Sequence, residues 1–241
     1  MNYEERFYRK QFKAEGLAGF EVVEEETDLY IFADKNLINQ AQNIVHKIRN
    51  QLNKYILTNI SFKESFSPVK VSLFAPKIVR EMAWAAKLAG VGPMAAVAGT
   101  ISERVGRELL KYSKEVIVEN GGDNFFKICK TRIVGIYAGS SPLSEKIAIQ
   151  LLPEDTPCGI CTSSGTVGHS FSYGKADAVV VVAKSAALAD AAATAIGNVA
   201  HDIETINNGI EIAKKIRGLR GVVIIKDDQM GVFGKIKIIS I

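Results

Sequence analysis

The sequence predicts an α+β fold, with a mainly antiparallel sheet and helices packed on it. Three observations carry this. Apolar segments of strand length follow one another too closely for parallel crossovers, which need a dozen or more residues. Segments with helical periodicity come in pairs between the runs of strands. No linker rich in Gly, Ser or Pro and no low-complexity stretch divides the chain, so residues 1–241 read as a single domain.

Phe20-Glu-Val-Val-Glu-Glu25 and Asp28-Leu-Tyr-Ile-Phe32 predict a strand pair turning around Glu26 and Thr27. Asp34 then suits the cap of a long helix. Its apolar face is Leu37, Ile38, Ala41, Ile44, Val45, Ile48, Leu52, Tyr55 and Ile56, a 3.6-residue pattern. A looser stretch with Pro68 and Pro76 precedes a short amphipathic helix from Ile78 to Leu88, closed by Gly90. Gly92-Pro93 opens a further helix from Met94 to about Tyr112, because proline fits a first turn that needs no N–H. Glu115–Glu119, Phe125–Cys129 and Arg132–Tyr137 read as strands, with a turn at Asn120-Gly-Gly-Asp123. Ile147–Leu152 is another strand, and the Gly-, Ser- and Thr-rich stretch from Cys158 to Ser172 reads as a loop. Ala176–Ala183 is continuously apolar, as expected of a central strand buried on both faces. Ser185 suits the cap of an alanine-rich helix to about Ala200, and a helix from Ile203 to Arg217 follows. Gly221–Lys226 and Gly234–Ser240 predict a closing hairpin with Gly231 near its turn.

The composition narrows the function. Of 241 residues 47% are apolar and 23% charged, ordinary for a soluble globular protein. A net charge of +4, spread evenly, argues against a nucleic-acid partner. The alternating charges of Ile101-Ser-Glu-Arg-Val-Gly-Arg-Glu-Leu-Leu110 read as a solvated helix face. Three cysteines, Cys129, Cys158 and Cys161, give no disulfide framework and fit a reducing cytoplasm. The charged stretch Met1–Lys10 has no signal-peptide core, and the longest apolar runs, such as Ala178–Ala183, are strand-length. No membrane partner is expected, and a cytoplasmic protein is.

Chemistry concentrates in a few segments. In Leu188-Ala-Asp-Ala-Ala-Ala-Thr-Ala-Ile196, Asp190 and Thr194 stand four residues apart on one helix face amid alanines. An acid there binds a cation, with magnesium the best match to two oxygen ligands and a substrate phosphate, or else accepts backbone N–H bonds. The glycines of Asn120-Gly121-Gly122-Asp123 allow positive φ and close approach to a ligand, or simply make a hairpin turn. Cys161-Thr162-Ser163-Ser164-Gly165-Thr-Val-Gly-His169 offers hydroxyls and backbone N–H groups for a phosphate or carboxylate. In it Cys161 could be a nucleophile or sulfur carrier with His169 lowering its pKa; the alternative is a polar surface loop with a buried thiol. Cys158-Gly-Ile-Cys161 has no second pair for a four-cysteine zinc site, and Thr-Ser-Ser-Gly follows where a redox motif would open a helix. The small residues of Ala89–Thr100 suit an anion at a helix N-terminus or tight helix packing. His46 and His201 have no partner at metal-ligand spacing.

Four segments together resemble the ApbE-like superfamily, and within it uncharacterised protein family 0280. They are Gly90-Val-Gly-Pro-Met-Ala-Ala-Val-Ala-Gly-Thr-Ile101, Glu119-Asn-Gly-Gly-Asp123, Gly159-Ile-Cys-Thr-Ser-Ser-Gly-Thr-Val-Gly-His-Ser170 and Ala189-Asp-Ala-Ala-Ala-Thr194, in the family's order along nearly the whole chain. The resemblance implies a T-fold-like architecture and, as in relatives that are flavin transferases or FAD pyrophosphatases, a magnesium-dependent reaction on a flavin nucleotide. It implies that Asp190 and Thr194 are metal ligands, and that Asn120–Asp123 and Ser163–Gly165 shape a nucleotide site. It also implies a homodimer. Two departures stand out: Ala98-Gly99 replaces a Lys-Gly pair, and Ser170-Phe-Ser-Tyr-Gly-Lys-Ala-Asp177 follows His169 where ApbE has His-x-x-Asp-Pro. Three readings follow. One is a magnesium-dependent enzyme on a flavin-like or other phosphate-bearing small molecule, with Gly121, Gly122, Asp123 and Thr162–Gly165 holding the ligand and His169 as acid or base. The second is sulfur or acyl transfer through Cys161. The third is a non-catalytic small-molecule binding protein.

Overall fold

The computed structural model describes residues 14–165 and 174–241. In chain order, β1 (Ala18–Glu24) and β2 (Thr27–Ala33) form a hairpin, followed by α1 (Ile38–Thr58), a short α2 (Ile60–Glu64), α3 (Lys77–Ala89) and α4 (Val97–Leu109). Next come β3 (Val116–Asn120), β4 (Asp123–Lys127), β5 (Arg132–Gly135), β6 (Ile147–Leu151), β7 (Cys158–Ser163) and β8 (Ala178–Ala183). The chain ends with α5 (Ala186–Gly197), α6 (Ile206–Lys215), β9 (Leu219–Lys226), β10 (Gln229–Gly234) and β11 (Lys237–Ser240). Eight strands make one sheet in the order β1-β2-β3-β4-β7-β8-β9-β10, and β11-β6-β5 make a second. Every pairing is antiparallel. The α+β class and the antiparallel sheet expected from the sequence are therefore observed.

The large sheet is the middle layer. Alternate residues of a strand face opposite ways, and here both faces are covered. Val179, Val181 and Ala183 of β8 join the helices in one core, while Ala178, Val180 and Val182 join the small sheet in another. Leu29 and Ile31 of β2 point to the helical side and Phe32 to the other. This is why β8 reads as an unbroken apolar run rather than an alternating one.

α5 is the innermost helix. It is buried nearly all round, so it lacks the amphipathic stripe of a surface helix. Alanine lets it lie close to its neighbours. A Cβ on Gly159 of β7 would stand 2.2 Å from the Cα of Ala186, so glycine is required where helix and strand touch.

Several local expectations are corrected. Asp34 does not cap α1; its carboxylate accepts from the Lys114 N–H at 2.7 Å, and the cap residue is Leu37. Residues 158–163 form β7 between β4 and β8 rather than a loop, because pairing on both sides outweighs the turn propensity of Gly, Ser and Thr. Gly92-Pro93 leads into a 3-10 turn, Pro93–Ala96, before α4. At the end of the chain the hairpin turns at Asp227 and Asp228, Gly231 lies inside β10, and β11 crosses to the small sheet instead of continuing the hairpin. Gly90 does close α3, in the left-handed conformation with φ +74.

Candidate functional site

Four segments with chemical potential meet where α4 begins. The α4 end presents Ala98 and Gly99. Asn120, the last residue of β3, donates from its carboxamide to the Ala98 carbonyl at 3.1 Å. From the inner face of α5, Asp190 accepts the Gly99 N–H at 2.8 Å. A Cβ on Gly99 would stand 2.3 Å from the Ala186 carbonyl and 2.7 Å from the Asp190 Cβ. Glycine is thus required for α4 and α5 to cross this closely. The backbone N–H of Thr162 in turn donates to the Gly122 carbonyl at 3.2 Å, tying the end of β7 to the glycine turn.

That turn joins β3 to β4 with Gly121 at φ +67 and Gly122 at φ +104. Two successive positive φ values make a tight hairpin and disfavour residues with a side chain. Glu119 steadies it by accepting the Gly121 N–H at 2.6 Å. Asp123 is buried and pairs in register with Cys161. Gly121 is exposed, and Gly122, Thr162, Ser163 and Ser164 are half-buried, so this rim is reachable from solvent. Gly165, exposed at the end of the loop, donates its N–H to the Ala176 carbonyl at 3.0 Å.

Asp190 sits in a low-dielectric setting. Its burial disfavours the charged form and raises its pKa to about 7, against the opposing pull of the Gly99 and Ala98 N–H groups. Among the described residues it has no ion-pair partner. Thr194 lies one turn further along α5 and is half-buried. A carboxylate with two N–H donors and no cation is chemically suited to a divalent ion beside it. No group of three or more His, Cys, Asp or Glu able to hold a metal occurs among the described residues. Magnesium tolerates so sparse a protein shell, since it keeps several waters and takes substrate phosphate oxygens. The residues therefore fit a magnesium ion shared with a ligand, not a cage built by protein alone.

Cys161 does not fit the nucleophile role. It is fully buried in the helical core, with its Sγ 3.4 Å from the Ala186 carbonyl. Desolvation, together with Asp123 and Asp190, pushes the thiol well above its usual pKa. A buried neutral thiol is a packing group. Cys158 is buried on the opposite face of β7, with its pKa pushed up to about 12, chiefly by burial. His169 lies outside the described residues.

Glu103 corrects the reading of the charged α4 segment as a solvated face. Its side chain is 13% exposed, and Arg107 holds it at 2.7 Å. Glu103 accepts from the Ser185 hydroxyl at 2.8 Å and from the Ala186 N–H at 2.7 Å, so it caps α5 by charge. The Ser185 hydroxyl accepts from the Leu188 N–H, as expected of the cap. Local sequence holds no signal for the contact of Glu103 with α5, because Ser185 and Ala186 lie more than eighty positions away. No helix among the described residues is long and apolar enough to cross a membrane.

The family described as AbpE bacteria matches residues 9–208. A UPF0280 protein of Methanococcus aeolicus is 46% identical over 220 residues, covering 89% of this chain and 88% of the relative. A UPF0280 protein of Methanocaldococcus jannaschii is 44% identical, covering 89% of each. Among solved structures, the apo flavinyl transferase ApbE of Pseudomonas stutzeri aligns with a TM-score of 0.62 at 15% identity, over 90% of this chain and 93% of that one. The flavin transferase ApbE of Vibrio cholerae aligns with a TM-score of 0.58 at 13% identity, over 90% and 96%. At such identities the structural likeness speaks for the fold, and the sequence relatives speak for the family. The chain belongs to the ApbE-like proteins, in the UPF0280 family.

Proposed function

We propose that this protein binds a flavin nucleotide or a related phosphate-bearing small molecule together with magnesium, at the junction of α4, α5 and the glycine turn. The observation that supports this most strongly is the convergence on one place of segments spread over residues 98–190. Ala98 and Gly99, Asn120–Gly122, Cys161–Thr162 and Asp190 are joined by direct hydrogen bonds or close contacts. The structural neighbours titled flavin transferases make flavin the first ligand to test.

In this reading Asp190 and Thr194 hold the metal. Bound magnesium would screen phosphate charge and favour cleavage or transfer at a phosphoanhydride. The chain's own contribution is positional. The Gly121-Gly122 turn lets backbone approach the ligand without a side chain between them. The hydroxyls of Thr162, Ser163 and Ser164 and the backbone around Gly165 offer donors on the exposed rim. Asp123, buried at the foot of the turn, accepts from the Cys161 thiol of the neighbouring strand. Gly99 and Ala98 hold the Asp190 carboxyl in place before any ligand arrives, which lowers the cost of ordering it on binding.

Isothermal titration with FAD, FMN and ATP, each with and without magnesium, tests the proposal. The expected result is saturable, magnesium-dependent binding of a flavin nucleotide that weakens at least about tenfold in Asp190→Asn, as loss of a charged metal ligand demands. Absence of heat with both flavins, or binding indifferent to magnesium and to Asp190→Asn, would overturn it. Product analysis of the FAD mixtures then separates turnover from simple binding.

A further inference from the structure

Four strands lie at the edges of the two sheets, β1 and β10 in the large one and β11 and β5 in the small one. An edge strand leaves alternate backbone N–H and C=O groups without a strand partner. Charged or proline residues on it ordinarily keep a second chain from adding to the sheet. β1 carries Glu21 and Glu24, β5 carries Arg132 and β11 carries Lys237. β10, Gln229-Met-Gly-Val-Phe-Gly234, carries neither a charge nor a proline. Its pairing with β9 runs in unbroken register from Gln229 opposite Lys226 to Gly234 opposite Gly221, so no bulge twists its free side away.

The two faces of β10 differ. Gly231 faces α6, where a Cβ would stand 2.4 Å from Ile206. Phe233, two residues on, packs against the same helical core. Met230 and Val232 point the other way, beside Ile225 and Val223 of β9, and are 41% and 44% exposed. After Gly234 the chain bends back toward β9, with the Lys235 N–H donating to the Arg220 carbonyl at 2.8 Å, so the crossover to β11 turns away from the free edge. Charge lies only beyond the two ends of the strand: exposed Asp227 and Asp228 precede it, and exposed Lys235 follows it. Among the described residues neither Asp228 nor Lys235 forms an ion pair.

We propose that the free edge of β10 binds the same edge of a second copy of this chain. The two β10 strands pair antiparallel about a two-fold axis normal to the sheet, which joins two eight-stranded sheets into one. A two-fold contact requires a surface complementary to itself, and an uncharged edge is one. Antiparallel pairing satisfies the outward N–H and C=O groups of both strands. The axis keeps each face on its own side, so Met230 and Val232 of the two copies meet side by side. Opposite ends also meet. The Asp227-Asp228 turn of each copy lies alongside the Lys235 bend of the other, acid against cation. Each copy has one such edge, so assembly closes at two.

Sedimentation velocity of the full chain over a range of concentrations tests this. A monomer–dimer equilibrium without larger species is expected, and the amides of β10 should exchange with deuterium more slowly as concentration rises. Val232→Lys sets like charges beside the axis, at an exposed position that accepts a long side chain. It should weaken the dimer at least about tenfold and leave the circular dichroism unchanged. Asp228→Lys should weaken it too, and Asp228→Lys combined with Lys235→Asp should restore it. Phe74→Ser, which removes the most exposed phenylalanine elsewhere on the surface, should leave the dimer intact. A monomer at every concentration, larger open assemblies, a dimer indifferent to Val232→Lys, failure of the double exchange to restore association, or loss in Phe74→Ser would each overturn the proposal.

Discussion

At the scale of the residue, Asp190 and Cys161 show how one environment gives opposite roles. Cys161 is buried and Asp190 half-buried near the start of α5, and desolvation raises both pKa values. For the thiol that disfavours the thiolate, which is the nucleophilic form, at neutral pH. For the carboxyl, raised to about 7, it leaves a group that a cation would readily ionise. The sign of the consequence is definite. A folded carboxyl that holds its proton more tightly than the unfolded chain opposes folding once it must ionise. In metal-free protein, the Asp190 contribution is therefore neutral at low pH and turns against stability as pH rises from about 4 to about 7. The slope is at most about 1.4 kcal/mol per pH unit. Asp190→Asn should be matched to the parent near pH 4 and gain on it steadily up to about pH 7, in thermal melts without magnesium. A stability difference independent of pH would show that the carboxyl is not desolvated as the structure has it.

Among the elements, the crossing of α4 over α5 carries the site. Gly99 and Gly159 are two points where the first turn of α5 lies close against other backbone, and Glu103 ties that turn to α4. Gly99→Ala has no room: the new methyl would stand 2.3 Å from the Ala186 carbonyl. The helices must separate, at a cost of ~1–3 kcal/mol by analogy with overpacked cores. Moving Gly99 also lengthens its hydrogen bond to Asp190. Urea denaturation should show the loss, and magnesium-dependent ligand binding should fall along with it. An alanine variant as stable as the parent would mean that this crossing is looser than 8-stranded-sheet packing against α5 implies.

For the whole molecule, the large sheet is shared by two cores, one under the helices and one under the small sheet. Strands such as β8 contribute alternate residues to both, so neither layer can lose its packing without exposing the other's floor. We propose on this ground that the chain unfolds as one cooperative unit. The fluorescence of Trp84, on α3 in the helical layer, and the far-ultraviolet dichroism of the whole chain should give coincident midpoints in urea. Separate midpoints would show that the small sheet and the helical layer fold independently.

The α+β class, the β1–β2 hairpin, the buried β8, the Gly90 stop and the glycine turn were all legible in the sequence. Each depends on periodicity or on backbone conformations set by neighbouring residues. Asp190 too announced itself, as a charge among alanines. β7 was hidden, because its Gly, Ser and Thr residues take strand geometry only through the strands on either side. Likewise the donors at Gly99 and Ala98, the capping by Glu103 and the burial of Cys161 involve partners far apart along the chain. Local pattern determines which segments become helix, strand or turn. Which charges end up paired, desolvated or left without a partner is decided only when those segments pack, because that energy depends on distance in space.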